Sequence, residues 1–202
     1  MSRKYKAEMW DRMQFLFRNF YDRMVHLKLC YDGKIDVELL KSAVIFMVEK
    51  APVLHSSFET SDIMNPYWKE QPYSVDDIVS YKCVEDASAA ADKFLSEQIP
   101  YTNNVQIKVA VFEQNAQSAQ DARSVQGMQG AHSVKSVLAV LVNHMCMDGG
   151  DYKYFISTLC ANYNALKRGN YSALNMKSGS RSHEMVYSKF SGNDLKKARS
   201  LY

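Results

Sequence analysis

The sequence predicts an α/β fold. Two observations carry that expectation. Residues 21–31 and 105–112 alternate with period two, and Ser136–Asn143 is a short β-branched apolar block. Elsewhere apolar residues recur at helical spacing, most clearly over Val37–Lys50 and residues 151–167.

From the N-terminus, residues 6–17 read as a helix, because Met9, Trp10, Met13, Phe15, Leu16 and Phe17 form a broad apolar face. In the strand that follows, Val25, Leu27 and Leu29 alternate with Met24, His26 and Lys28, and Asp32-Gly33 turns the chain. Asp36 stands at the N-cap of Val37–Lys50, whose buried stripe is Val37, Leu40, Val44, Met47 and Val48. Pro52 stops that helix. Asn65-Pro66-Tyr67-Trp68 and Gln71-Pro72 punctuate a loop.

Residues 78–84 read as a strand, and 88–98 as a helix opened by small residues and ended by Pro100. Val105, Ile107, Val109 and Val111 define one face of the next strand. Residues 115–133, rich in Gln, Ala, Ser and Gly, read as a mobile hairpin loop without function. Beyond the central strand Ser136–Asn143, a helix over 151–167 turns Phe155, Ile156, Leu159, Cys160, Tyr163 and Leu166 inward, and Gly169 terminates it. Residues 170–181 read as a polar linker, 185–190 as a short strand and 191–202 as a capped helix.

A chain of 202 residues, 47% of them hydrophobic, suits one or at most two domains. Lys+Arg 25 nearly balance Asp+Glu 22, so no field favours nucleic acid or an anionic membrane. Cys30, Cys83, Cys146 and Cys160 are too far apart for a zinc ribbon, and fit reduced thiols better than a disulfide framework. No secretory leader and no apolar run of roughly 20 residues is present. The expectation is a soluble, cytoplasmic protein.

The stretch with chemistry in it is Val137 to Tyr154, VLAVLVNHMCMDGGDYKY. A buried strand ends at His144; four residues on comes Asp148, then Gly149, Gly150 and a helix. Glycine adopts backbone angles other residues avoid, which predicts a sharp turn and close approach of a ligand here. The helix start offers unpaired amides and partial positive charge at the same place.

His144-Met145-Cys146-Met147-Asp148-Gly149 reads HxxxDG and resembles the signature of the chloramphenicol acetyltransferase-like acyltransferases. That superfamily includes nonribosomal peptide condensation domains, plant acyl-CoA-dependent acyltransferases and alcohol acetyltransferases. A second stretch, GKIDVELLKSAVIFMVEKAPVLHSSFE over residues 33–59, resembles the superfamily's first strand-helix-strand. The resemblance implies a two-layer sandwich, a mixed sheet with helices on one face, and transfer of an acyl group from a CoA or carrier-protein thioester to an alcohol or amine. His144 would be the general base, a role worth roughly 10²–10⁴-fold in rate.

In the family Asp148 faces away from substrate and orients the loop by pairing with an arginine, which in several two-lobe members belongs to the second lobe. Its alternative is capping of the next helix. Gly149 belongs to the same structural motif, and Gly150 would leave room for the thioester arm of the donor; a plain turn is compatible with both. Asn143 stands where many condensation domains carry a second histidine, which points toward the alcohol acetyltransferase branch. His55 and Ser56 depart from the Arg-Thr of condensation domains, and His55 reads as a surface or loop residue.

Cys146 is not needed as a nucleophile, because the family transfers the acyl group directly. Cys160 reads as core, and Trp10 and Trp68 read as core or loop anchors, with a place lining a pocket as the alternative. His26, His132 and His183 lack metal-ligand spacing, so no metal is expected. No cofactor is bound permanently; an acyl-CoA or phosphopantetheine thioester is the co-substrate.

The resemblance divides the chain into a first lobe over 1–169, a linker over 170–184 and the opening of a second lobe over 185–202. The chain then corresponds to the N-terminal half of an enzyme whose site needs a second lobe or self-association. Two other functions stay open, a condensation domain and a catalytically silent binding or self-association module.

Overall fold

The computed structural model describes residues 2–115, 136–177, 179–182 and 188–200. The chain forms β1 (Lys4–Lys6), α1 (Met9–Leu16), β2 (Met24–Tyr31), α2 (Val37–Lys50), β3 (Ser56–Glu59) and β4 (Tyr67–Glu70). There follow α3 (Val75–Ile78), β5 (Val79–Val84), α4 (Ala87–Leu95), β6 (Ile107–Gln114), β7 (Ser136–Asn143), α5 (Gly149–Lys167) and α6 (Gly192–Arg199).

The main sheet has the order β2-β7-β6-β5. Only the β5–β6 pair is parallel, so the sheet is mixed, as expected. Every residue of β7 is buried. A strand covered on both faces reads as a continuous apolar run rather than an alternation, which explains its sequence. On one face Leu138, Val140 and Val142 join Ile107, Val109 and Val111 against Leu40, Val44 and Met47 of α2 and Phe155 and Leu159 of α5. On the other, Ala110, Phe112, Val137 and Ala139 meet Ala87 and Ala91 of α4, where small side chains on both partners allow close approach. The two long helices thus share one face, and the shorter α4 adds a cover on the other.

A second, antiparallel sheet has the order β1-β4-β3 and buries Phe58 and Trp68. The sequence hid two of its strands. Residues 65–72 read as a loop, yet Tyr67–Glu70 is a strand, and Lys4–Lys6 is a strand rather than an approach to helix. Both are too short, and too closely framed by proline or charge, to show a period.

Helix α1 consequently starts at Met9, after extended Glu8. Its broad apolar face does not all turn inward. Phe15 packs on Phe58 and Tyr101, with ring centroids 5.4 and 5.1 Å apart. Met9 (57%), Trp10 (49%), Leu16 (61%), Phe17 (51%) and the following Phe20 (83%) remain exposed.

Past α5, Gly169 has φ +71, a left-handed conformation that suits glycine and stops the helix as expected. The chain then returns along α5. Buried Asn162 exchanges two hydrogen bonds with the backbone of Asn175, both 3.0 Å, and Lys177 N donates to Tyr154 Oη at 3.0 Å. The expected hairpin loop over 115–133 lies, after its first residue, outside the described residues. So does the first half of the expected strand over 185–190, whose residues 188–190 form a turn. The capped C-terminal helix is present, with Ser191 and Asp194 bonding reciprocally. Among the described residues no helix is long and apolar enough to cross a membrane.

Candidate active site

The end of β7 is a tight backbone turn built around Asn143. Its Oδ1 accepts from Met145 N at 3.1 Å, and its carbonyl from Cys146 N at 2.9 Å. Its Nδ2 donates to Gln106 Oε1 at 2.9 Å. His144 N donates to Arg23 O at 2.8 Å. The backbone of His144 is thereby held from both sides. Its side chain is half-buried, and Nδ1 is sealed from solvent with no hydrogen-bond partner among the described residues.

Asp148 is exposed and is the N-cap of α5. Its Oδ1 accepts from Gly150 N at 2.7 Å and from Asp151 N at 2.8 Å, placing negative charge at the positive end of the helix. No described cation forms an ion pair with it. The structure therefore shows the capping alternative.

The glycines correct another expectation. Gly149 and Gly150 open α5 without a positive φ, so they make no glycine-specific turn. The turning is done by Asn143 and the cap. A Cβ on Gly149 would meet nothing within 4 Å, whereas one on Gly150 would stand 3.2 Å from Asp148 Oδ1. Gly150 is thus the tighter of the two, and what it accommodates is the cap.

His144 lines a cavity of about 520 Å³. The motif loop Met145–Asp148 forms one wall, and Pro52, Val53 and Leu54 form another. Trp10 and Asp11 come from α1, and Asp151, Tyr154 and Phe155 from α5. Met176, Lys177, Gly179, Ser180 and Arg181 complete it.

Of the residues that line it, only His144 and Asp148 are site residues expected from the sequence. Trp10, expected to anchor core or loop, lines the cavity and is half exposed, while Trp68 is core as expected. Arg181 Nη1 donates to Cys146 O at 2.6 Å, and Nη2 to Met145 O at 2.8 Å and to Asp11 Oδ1 at 2.5 Å. Asp11 is 1% exposed, and its Oδ2 also accepts from Trp68 Nε1 at 2.9 Å and Glu8 N at 3.0 Å. A carboxylate–arginine pair does brace the motif loop, but the carboxylate is that of Asp11. An acidic residue in an apolar helix was the one available signal.

The Cys146 thiol is buried, 3.7 Å from Val53 O, and burial pushes its pKa up. The site holds it as a thiol. His55 is not a surface residue: it is half-buried, stacks on Tyr73 at 4.8 Å and seals its own Nδ1. His26 pairs with Asp22 at 3.6 Å away from the cavity, and Cys160 is partly rather than fully buried. His132 and His183 lie outside the described residues.

No family model matches the sequence, and no curated protein matches it. Solved structures do. The first condensation domain of the calcium-dependent antibiotic synthetase, in complex with a substrate analogue, superposes with a TM-score of 0.66 at 18% identity, over 93% of this chain and 43% of that one. The epimerization domain from the third module of tyrocidine synthetase B gives 0.64 at 13%, over 93% and 40%. A variant of the starter condensation domain of rhizomide synthetase, in complex with C8-CoA, gives 0.63 at 15%, over 82% and 36%.

These likenesses show the fold: the chain has the α/β fold of the matching part of those condensation and epimerization domains. It spans less than half the length of the solved chains it matches.

Proposed function

We propose that the cavity beside His144 is an acyl-transfer site. In this reading an acyl thioester and an alcohol or amine meet at the His144 ring, which takes the acceptor's proton as it attacks the thioester carbonyl. The observation that carries the reading is the His144 ring at the wall of a cavity with Nδ1 sealed, which leaves Nε2 to face a substrate. The likeness to condensation domains, one of them in complex with C8-CoA, supports the chemistry.

The developing oxyanion needs hydrogen-bond donors. The first amides of α5 are poor candidates, since Asp148 already takes those of Gly150 and Asp151. Donors then come from another lobe or another copy. The exposed apolar side chains of α1, Met9, Met13, Leu16 and Phe17, support such a cover. We retain the division into a lobe over 1–169, a linker over 170–184 and the opening of a second lobe over 185–202. Gly149 and Gly150, both exposed beside Asp148 of the cavity wall, are the proposed place for the donor's thioester arm. Asn143 and Asp148 act as orienting residues through the turn and the cap. Reduced thiols fit a cytoplasmic setting.

A carrier-protein phosphopantetheine donor is the second reading, and the synthetase condensation and epimerization domains among the structural likenesses favour it. Release of thiol from acetyl-CoA, run with a panel of alcohols and amines, tests the proposal. Acceptor-dependent release that falls roughly 10²-fold or more in His144→Ala supports it. Equal measurable rates in the two proteins remove His144 as the base, and no release from either leaves a silent module. Light scattering then separates a self-associating chain from a monomer.

A further inference from the structure

We infer that Arg181 is a positioning residue for His144, clamping the loop that presents it and coupling that loop to the N-terminal helix and the small sheet. The inference deepens the acyl-transfer reading and rests on it for any effect on rate; the clamp itself does not. Met145 O and Cys146 O, the two carbonyls directly after His144, both accept from the guanidinium of Arg181, at 2.8 and 2.6 Å. The same Nη2 reaches Asp11 Oδ1 at 2.5 Å. Asp11, almost wholly buried, is fixed in turn by Trp68 Nε1 from β4.

A relay therefore runs from the motif loop through Arg181 and Asp11 to Trp68. It matters because Asn143 and Arg23 hold the turn at its β7 end and the Asp148 cap holds it at its α5 end, which leaves the carbonyls of Met145 and Cys146 between them to Arg181. Among the described residues Arg181 is the one charged group bonded to these two carbonyls. The planar, forked guanidinium suits two carbonyls and a carboxylate at once, a geometry an ammonium group does not reproduce. Arg181 also borders a second cavity of about 340 Å³ with Tyr5, Lys6 and Trp68, so its position shapes the space on both sides.

The test is hydrogen exchange of the Met145 and Cys146 amides, with the NMR signal of the His144 ring, in wild type, Arg181→Lys and Asp11→Asn. Arg181→Lys keeps a cation opposite Asp11 and so protects against loss of the fold. The expected result is exchange about 10- to 100-fold faster at those two amides and a displaced His144 ring signal, with α4 amides unchanged. Asp11→Asn shows a smaller change of the same kind, since Arg181 keeps its carbonyl contacts. Unchanged loop exchange in folded Arg181→Lys overturns the inference, as does acceleration spread equally over α4 and the loop, which marks a merely structural role. Neither readout needs turnover, so loss of the acyl-transfer reading would register separately, in the His144→Ala comparison.

Discussion

Asn143 and Gln106 hold each other where β6 and β7 begin and end. Asn143 Nδ2 donates to Gln106 Oε1 and Asn143 N to Gln106 O, both at 2.9 Å. Gln106 Nε2 donates onward to Asn104 O at 2.8 Å, and Gln106 N to Leu54 O at 2.7 Å. Both side chains are buried, at 1% and 0% exposure, and their polar atoms are partnered. Replacing Asn143 with alanine strands Gln106 Oε1 and Met145 N in the interior. The expected cost is about 1–3 kcal/mol in urea unfolding. A loss under about half a kcal/mol would deny the network its role in shaping the turn before His144.

Asp148 gives a sharper test because its two readings predict different substitution patterns. As an N-cap, Asp148→Ala costs about 1 kcal/mol, while Asp148→Asn retains most of the stability, since the amide oxygen still accepts from Gly150 N and Asp151 N. Were the carboxylate required for an ion pair, asparagine would lose as much as alanine. Thermal melts of the two variants decide the matter.

The thiols should react in the order of their exposure. Cys30 and Cys83 are exposed, and label first with a maleimide at neutral pH. Cys146, buried and with its pKa raised by burial, stays unlabelled until the chain unfolds. Rapid labelling of Cys146 in the folded protein would reopen the question of a nucleophile inside the motif.

Glu113 illustrates the pH dependence. The hydrogen bond from Lys34 at 2.6 Å, aided by Tyr81, holds its carboxyl below the usual glutamate range despite partial burial. A carboxylate with a depressed folded pKa contributes stability above its unfolded pKa, and that contribution is lost as pH falls through the folded value. Lys34, raised mainly by its hydrogen bond to Glu113, contributes below the unfolded lysine pKa and loses it at high pH. Glu113→Gln should therefore reduce the acid-side decline in melting temperature and leave Cys146 labelling untouched. An unchanged acid limb would count against the pair.

How much of this was legible beforehand depended on length and period. Helix α2 matched residue for residue because Asp36, five apolar positions and Pro52 all mark it locally. The strand β7 was legible because full burial demands an unbroken apolar run. The strands β1 and β4 were not, being three and four residues long. His144 and Asp148 stood out through their spacing. Arg181, in a polar stretch without period, gave no sign that it would reach a loop 35 residues earlier, because that contact is made by tertiary folding alone. Gly149 and Gly150 misled for a related reason: glycines suggest a turn, and here the capping aspartate makes helical geometry sufficient.

The most direct measurement is NMR of the histidine rings during titration with a non-hydrolysable acyl-CoA thioether and an alcohol. The expected result is a saturable shift of the His144 signal, with those of His26 and His55 in place. A His144 signal that stays fixed while donor and acceptor are in excess would contradict the claim that this ring faces substrate.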